Sequence, residues 1–256
     1  MNVYNWKEID SFSQTEYFSC GTGVSVGSFD GLHLGHRVLL EELVNCCRNL
    51  SVKSGIITFL RPLPAIKHSD DYTGDISTLS QRLRLFEQLG ISFVIVVDFD
   101  EQFASLKGTE FLSILKQKLN MKFLAEGIDF RCGYKGATDT QAIKYWAQQN
   151  NVECSFVDPV YYTEADGEQE RVSSSYIRRM IQKGFFSTVT ELLARPYELD
   201  LEELHNTSDA KSIDITQILP PDGIYRTQSE KNELVRLEIK DGCILDTPDC
   251  IAVKFC

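Results

Sequence analysis

The sequence predicts an α/β protein: a parallel sheet with helices on both faces, followed by a small β-rich appendage. Three observations predict it. Apolar strands alternate with amphipathic helices from Thr22 to Leu193, the pattern that builds parallel sheets. One strand runs straight through a glycine-rich turn, Gly27-Ser28-Phe29-Asp30-Gly31-Leu32-His33-Leu34-Gly35-His36, into a helix. Past Arg195-Pro196-Tyr197 the alternation gives way to short strands. We expect residues 1–197 to form the main domain and 198–256 the appendage, which is too short to build a large core by itself.

The elements follow in order. Residues 1–20 have no clear period, and Val3–Trp6 reads as an edge strand. Thr22–Phe29 is a strand carrying β-branched Val24 and Val26. Val38, Leu39, Leu40, Leu43 and Val44 recur at helical spacing and predict a helix from about Gly35 to Arg48. Ser54–Leu60 is a second apolar strand. Arg61-Pro62-Leu63-Pro64 stops it, because proline cannot serve a central ladder. Ala65–Ile76 is polar and acidic, and reads as a loop. Leu79, Leu83, Phe86 and Leu89 make the stripe of a helix capped by Ser77 or Thr78 and ended by Gly90. Phe93–Val97 is a strand, Thr109–Leu119 a helix, Lys122–Ala125 a strand and Gly127–Gly136 a loop. Asp139–Asn150 is a helix and Val152–Val157 a strand. A turn at Asp166-Gly167 precedes a helix over Tyr176–Lys183, and Thr188–Leu193 makes another. Asp200–Asp209 is acidic and loop-like. Gly223–Arg226, Leu234–Lys240 and Ile251–Phe255 are short strands.

Composition narrows the function. Of the 256 residues, 43% are hydrophobic and 25% charged, an ordinary globular balance. No apolar run reaches a membrane span. Met1–Asp10 lacks a basic stretch followed by an apolar core, so we expect a cytoplasmic protein. The eight cysteines include no CxxC, which removes the usual zinc spacing; they read as reduced thiols. A net charge of −11 argues against nucleic-acid binding, which needs a basic face. An anionic ligand would need local cations and helix N-termini to override that field. Arg37, Lys135, Arg171, Arg178, Arg179 and Lys183 are the candidates.

Two stretches carry chemistry. In the first, strand, glycine turn and helix aim backbone N–H groups at an anion, and His33 and His36 stand one turn apart at the helix start. By itself the turn also fits histidines that merely cap or pack, or a metal pair short of a third ligand. The second is Ser173-Ser174-Ser175-Tyr176-Ile177-Arg178-Arg179, hydroxyls at a helix start followed by arginines. Alone it also fits a capped helix with a solvated basic face.

Together, Phe-Asp-Gly-Leu-His-Leu-Gly-His and Ser-Ser-Ser-Tyr-Ile-Arg resemble the nucleotidyltransferase family with HxGH and SSTxIR signatures. More narrowly, they resemble the adenylyltransferase domain of bacterial FAD synthetases, the riboflavin kinase/FMN adenylyltransferase proteins. Further matches are Thr58-Phe59 before a proline pair, Asp98-Phe99-Asp100-Glu101-Gln102-Phe103, Gly127-Ile128-Asp129-Phe130-Arg131-Cys132-Gly133 and Arg195-Pro196-Tyr197. The resemblance spans about residues 20–197. It implies a Rossmann-like HxGH fold and the reaction FMN + ATP → FAD + pyrophosphate. It also implies that His33, His36 and Arg178 are catalytic. Gly27, Phe29, Asp30, Gly35, Ser174 and Ser175 would bind ATP, with Asp30 chiefly forming the turn. Pro62, Pro64, Asp129 and Phe130 would bind flavin, and Mg²⁺ would arrive on the substrate phosphates rather than in a protein cage. The expected partners are small molecules, not nucleic acid or membrane.

Three departures stand out. Leu63 replaces the histidine of the family's Pro-His-Pro. Ser175 replaces a threonine and keeps its hydroxyl. Pro-Thr-Ala-Asn, the metal and nucleotide motif of the riboflavin kinase barrel, does not occur, although Ile218–Tyr225 looks like a fragment of that barrel. Adenylyl transfer without kinase activity is therefore expected. The alternatives are a bifunctional enzyme, adenylyl or cytidylyl transfer to another phosphate, and a non-catalytic flavin or nucleotide regulator.

Overall fold

The alternation of strands and helices produces a six-stranded parallel sheet. The structure is a computed structural model that describes residues 1–12, 15–63, 65, 72–164, 166–202, 216–245 and 248–255. The strands are β1 (Asn2–Asn5), β2 (Thr22–Val26), β3 (Lys53–Phe59), β4 (Phe93–Val97), β5 (Met121–Gly127) and β6 (Glu153–Val157). Their order is β1-β4-β3-β2-β5-β6, and every pairing is parallel. From β2 the chain builds outward through β3 and β4, then returns to the other side for β5 and β6. The switch point is therefore between β2 and β5, where sheets of this kind hold ligands at their carboxyl edge.

Burial explains the order. All residues of β2 and β4 are buried, as central strands with both faces covered require. Val24, Val26, Ile57, Phe59, Ile95, Val97 and Leu124 share one core with Phe111, Leu112 and Leu115 of the helix Gly108–Lys118. Ile143 and Trp146 of the helix Thr140–Gln149 join them. On the other face, Cys47 of the helix Leu34–Leu50 lies so close to Gly23 that a Cβ there would meet its sulfur at 2.3 Å. Helices thus cover both faces, as expected. Asp100 and Asp139 cap the helices Glu101–Ser105 and Thr140–Gln149, accepting from the Phe103 and Ala142 N–H groups.

The chain divides into two compact units. The first, Met1–Phe29, His36–Ile66 and Leu83–Pro159, contains the parallel sheet. The second comprises Asp30–Gly35, Lys67–Arg82 and Val160–Cys256. It holds a hairpin, β7 (Tyr161–Thr163) with β8 (Gln169–Arg171), and the helices Ser174–Gln182 and Phe186–Leu193. It also holds an antiparallel sheet of β9 (Tyr197–Asp200), β10 (Gly223–Ser229), β11 (Leu234–Lys240), β12 (Cys243–Ile244) and β13 (Ala252–Phe255), ordered β12-β11-β10-β13-β9. The units therefore part before β7 instead of after Tyr197. The physical cause is a second core, in which Tyr176, Ile177, Ile181, Val189 and Leu192 pack with Tyr197, Leu199, Leu237, Val253 and Phe255.

Several elements differ from the sequence expectation. The strand expected over Thr22–Phe29 stops at Val26, because Asp30–Leu32 forms a tight turn. Tyr197–Asp200 is a strand, since alternate burial of Tyr197 and Leu199 seats it beside β13. The acidic stretch after it lies largely outside the described residues. The hairpin and the short helices Ile9–Phe12 and Glu101–Ser105 were not expected. Among the described residues no helix is long and apolar enough to cross a membrane, and the described cysteines are free thiols.

Gly55 on β3 pairs with Phe93 on β4, and a Cβ at Gly55 would stand 2.0 Å from the Phe93 ring. Gly55→Ala should therefore destabilise the protein by about 1–3 kcal/mol through overpacking. Urea denaturation measures this, and an unchanged midpoint would show that the ring has room to move.

Candidate active site

The turn after β2 starts from a fixed edge. Gly27 N–H donates to Ile57 O at 3.0 Å. Three residues then take positive φ: Phe29 (49°), Gly31 (76°) and Leu32 (39°). For Phe and Leu that region is strained, so the turn must be held from outside. In the first unit the Phe29 ring folds back over Gly27, where an added Cβ would come within 3.1 Å of it. The same ring stands edge-on to His36 at 5.3 Å and to Phe86 at 5.8 Å.

Asp30 holds the rest of the turn within the second unit. It is 2% exposed. Its carboxylate accepts from Ile76 N–H at 3.0 Å, Ser77 N–H at 2.9 Å and Ser77 Oγ at 3.2 Å. Arg178 Nη2 forms an ion pair with Asp30 Oδ2. Burial pushes the Asp30 carboxyl up, while the Arg178 guanidinium and the Ile76 and Ser77 N–H groups pull it back. Arg178 also donates from Nε to Gly74 O at 2.7 Å and from Nη2 to Tyr72 Oη at 3.1 Å, and lies over the Tyr72 ring. Ser174 Oγ donates to Asp30 O at 3.0 Å, and Arg195 Nη2 to Gly31 O at 2.8 Å. The Asp30–Gly35 stretch, which carries His33, and the hydroxyl-rich helix start therefore meet in one unit.

His33 is 5% exposed. Burial, then the nearby guanidinium groups of Arg171 and Arg195, lower its pKa from 6.5 to about 3, against a hydrogen bond to its own backbone. At neutral pH it is a neutral imidazole, able to donate or accept a hydrogen bond but not a source of positive charge. Gly35 leaves room for it: a Cβ there would press on His33 Cε1 at 3.3 Å. His36 is half-buried in the first turn of the helix Leu34–Leu50. Ser173 caps the helix Ser174–Gln182 by accepting from Tyr176 N–H, and Ser175 is exposed in its first turn. First-turn N–H groups have no partner within a helix, so the end favours an anion.

The expected flavin residues sit at other carboxyl ends of the parallel sheet. Pro62 follows β3 and is buried. Leu63, in place of the family histidine, packs against the first core, and its N–H donates to Ser28 Oγ at 3.1 Å. Pro64 lies outside the described residues. After β5, Asp129 is exposed and Phe130 packs against the first core. Sequence reasoning missed Tyr72, Gly74 and Ile76, which sit in a stretch read as a plain loop, and gave Ser77 no role beyond a helix cap. It also gave Arg195 no role. Their only signal was proximity to a good helix cap and to the Arg-Pro-Tyr match.

A parallel sheet whose switch strand runs into this glycine-rich turn places the chain among the α/β proteins that bind ligands at the carboxyl edge. Residues 16–176 match the family model for FAD synthetase. The chain belongs to the FAD synthetase family. The bifunctional riboflavin kinase/FMN adenylyltransferase of Buchnera aphidicola is 26% identical over 213 residues, covering 82% of this chain and 64% of that protein. The chain thus spans less than two thirds of that relative. The FAD synthetase of Listeria monocytogenes is 24% identical over 224 residues, covering 86% of this chain and 88% of that protein. A solved structure of a macrolide-efflux protein from Streptococcus pneumoniae superposes with a TM-score of 0.74 at 20% identity, covering 100% of this chain and 98% of that one. That likeness concerns the fold alone.

Two outcomes follow from this geometry. Between pH 6.5 and about 3 the unfolded chain carries a proton on His33 that the folded chain lacks. Stability should fall with acid across that window, at up to about 1.4 kcal/mol per pH unit. His33→Gln should lose this contribution, and urea midpoints against pH would then fall less steeply than wild type. Asp30→Ala and Arg178→Met should each cost about 3–5 kcal/mol by leaving a buried charge unmatched, and the double variant should cost less than their sum. Strict additivity in that cycle would mean the two side chains are not coupled.

Proposed function

We propose that the chain is an FMN adenylyltransferase that joins FMN to the AMP part of ATP, giving FAD and pyrophosphate. The observation that carries this reading is Asp30, held by Ser174 and Arg178, which sets the histidine turn beside a helix N-terminus. An FMN phosphate oxygen attacks the α-phosphorus, and the bond to the pyrophosphate oxygen breaks. A phosphomonoester is largely ionised at neutral pH, so no general base is needed. Catalysis then rests on positioning and on hydrogen-bond donors aimed at developing charge.

His33 and His36, three residues apart in sequence, donate to the ATP phosphates, His33 as a neutral imidazole. Gly27, Phe29 and Gly35 shape that turn. Ser175 and the N–H groups beside it receive the departing pyrophosphate. Arg178 and Asp30 work mainly by holding the turn, since each neutralises the other. Pro62, Pro64, Asp129 and Phe130 are the proposed flavin contacts. Mg²⁺ would come with the substrate phosphates and neutralise them, as is usual for that ion. We further propose a cytoplasmic location, ATP and FMN as the partners, and no riboflavin kinase activity.

Purified protein with Mg·ATP should convert FMN to FAD and should leave riboflavin unphosphorylated, read by chromatography with flavin fluorescence. His36→Ala should lower kcat by about 10²–10³-fold, the usual worth of one preorganised donor, with the wild-type circular dichroism spectrum. Near-normal FAD production by that variant would remove the assignment of His36.

A further inference from the structure

β2 is bonded unequally on its two sides. Toward β3 the pairing runs to Val26 opposite Ile57, and Gly27 N–H extends it. Toward β5 it stops at Val24 opposite Leu124. A parallel strand turns successive N–H groups to alternate neighbours. With Gly27 turned to β3, Val26 turns toward β5. There its N–H meets a side chain, Glu126 Oε1, at 2.7 Å. Glu126 is 1% exposed, an unusual setting for an acid inside a central strand.

We propose that Glu126 is a positioning residue whose carboxyl clamps the carboxyl ends of β2 and β5 together at the switch point. This inference rests on the proposed adenylyl transfer for its functional consequence. The clamp lies directly before two segments of the first unit. On β2 it precedes Gly27–Phe29, whose Phe29 ring seats His36. On β5 it precedes Gly127 and the Asp129–Phe130 loop. One hydrogen bond therefore fixes the spacing between the turn that carries an imidazole and the loop assigned to flavin. Burial pushes the Glu126 carboxyl well above its usual range, with Val26 N–H pulling back. The titratable group beside it is Cys132, whose thiol is pushed up to about 12 by burial and then by Glu126, so it does not titrate at moderate pH. A carboxyl raised this way favours the protonated clamp. Its stabilising contribution is lost as pH rises toward the shifted pKa, when a charge would have to be buried.

The test measures kcat/KM for FMN from about pH 6 to about pH 10 in wild type, Glu126→Gln and Glu126→Leu. Gln keeps an oxygen acceptor and cannot ionise; it should match wild type at neutral pH. Leu keeps the volume without an acceptor; it should lose about ten- to a hundredfold in kcat/KM. A Leu variant with wild-type kcat/KM, or a Gln variant as impaired as Leu, overturns the inference. If the Leu variant does not fold, the Gln variant decides, since loss of activity on keeping the acceptor overturns the clamp. A wild type that makes no FAD removes the proposed function instead, and the clamp is then judged by amide exchange. Val26 should be protected in wild type and Gln but exchange faster in Leu, and equal protection overturns it.

Discussion

The buried carboxylate of Asp30 is the constraint on which the candidate site depends. Positive φ at Phe29, Gly31 and Leu32 makes the turn costly to hold, and a strained backbone persists only where its surroundings over-determine it. Asp30 supplies that determination with three donors from the 76–77 segment and one guanidinium. Isolated in an apolar setting, such a carboxylate would be strongly unfavourable. Matched to Arg178 and capped by N–H groups, it ties helix, turn and the 72–77 segment into one unit.

Under the proposed function, that arrangement changes how a protein of net charge −11 would receive a polyphosphate. Arg178 is matched by Asp30, Arg179 by Glu170 at 2.7 Å, and His33 is neutral. The cations of the hydroxyl-rich helix are therefore matched within the chain, while Arg171 and Arg195 stand near His33. Beside them the helix offers directional groups: its N-terminal N–H groups and a surface hydroxyl at Ser175. Such donors recognise geometry as well as charge, which suits the proposed choice of an α-phosphate over its neighbours.

The sheet was legible because its strands are nearly continuous apolar runs and its helices carry stripes; both signals are local. The turn and the serine-capped helix were legible as motifs for the same reason. The groups that hold Asp30 and Arg178 from the 72–77 segment were not. Tyr72, Gly74 and Ser77 have no period and no distinctive composition, and their roles arise from distant contacts: 47 residues separate Asp30 from Ser77 and 104 separate Gly74 from Arg178. Glu126 was passed over because a single acid within a strand reads as a break in pattern. The extent of the second unit was hidden as well, since nothing local in Ser174–Leu193 says which core it will join.

The place of β13 in the antiparallel sheet bears on how the protein is made. This strand lies between β10 and β9, so the second core cannot close until residues 252–255 have left the ribosome. The parallel sheet, complete at Val157, has no such wait. Yet Asp30–Gly35 belongs to the later unit. During synthesis the sheet of the first unit can thus assemble before residues 30–35 of its own early sequence join the core they belong to.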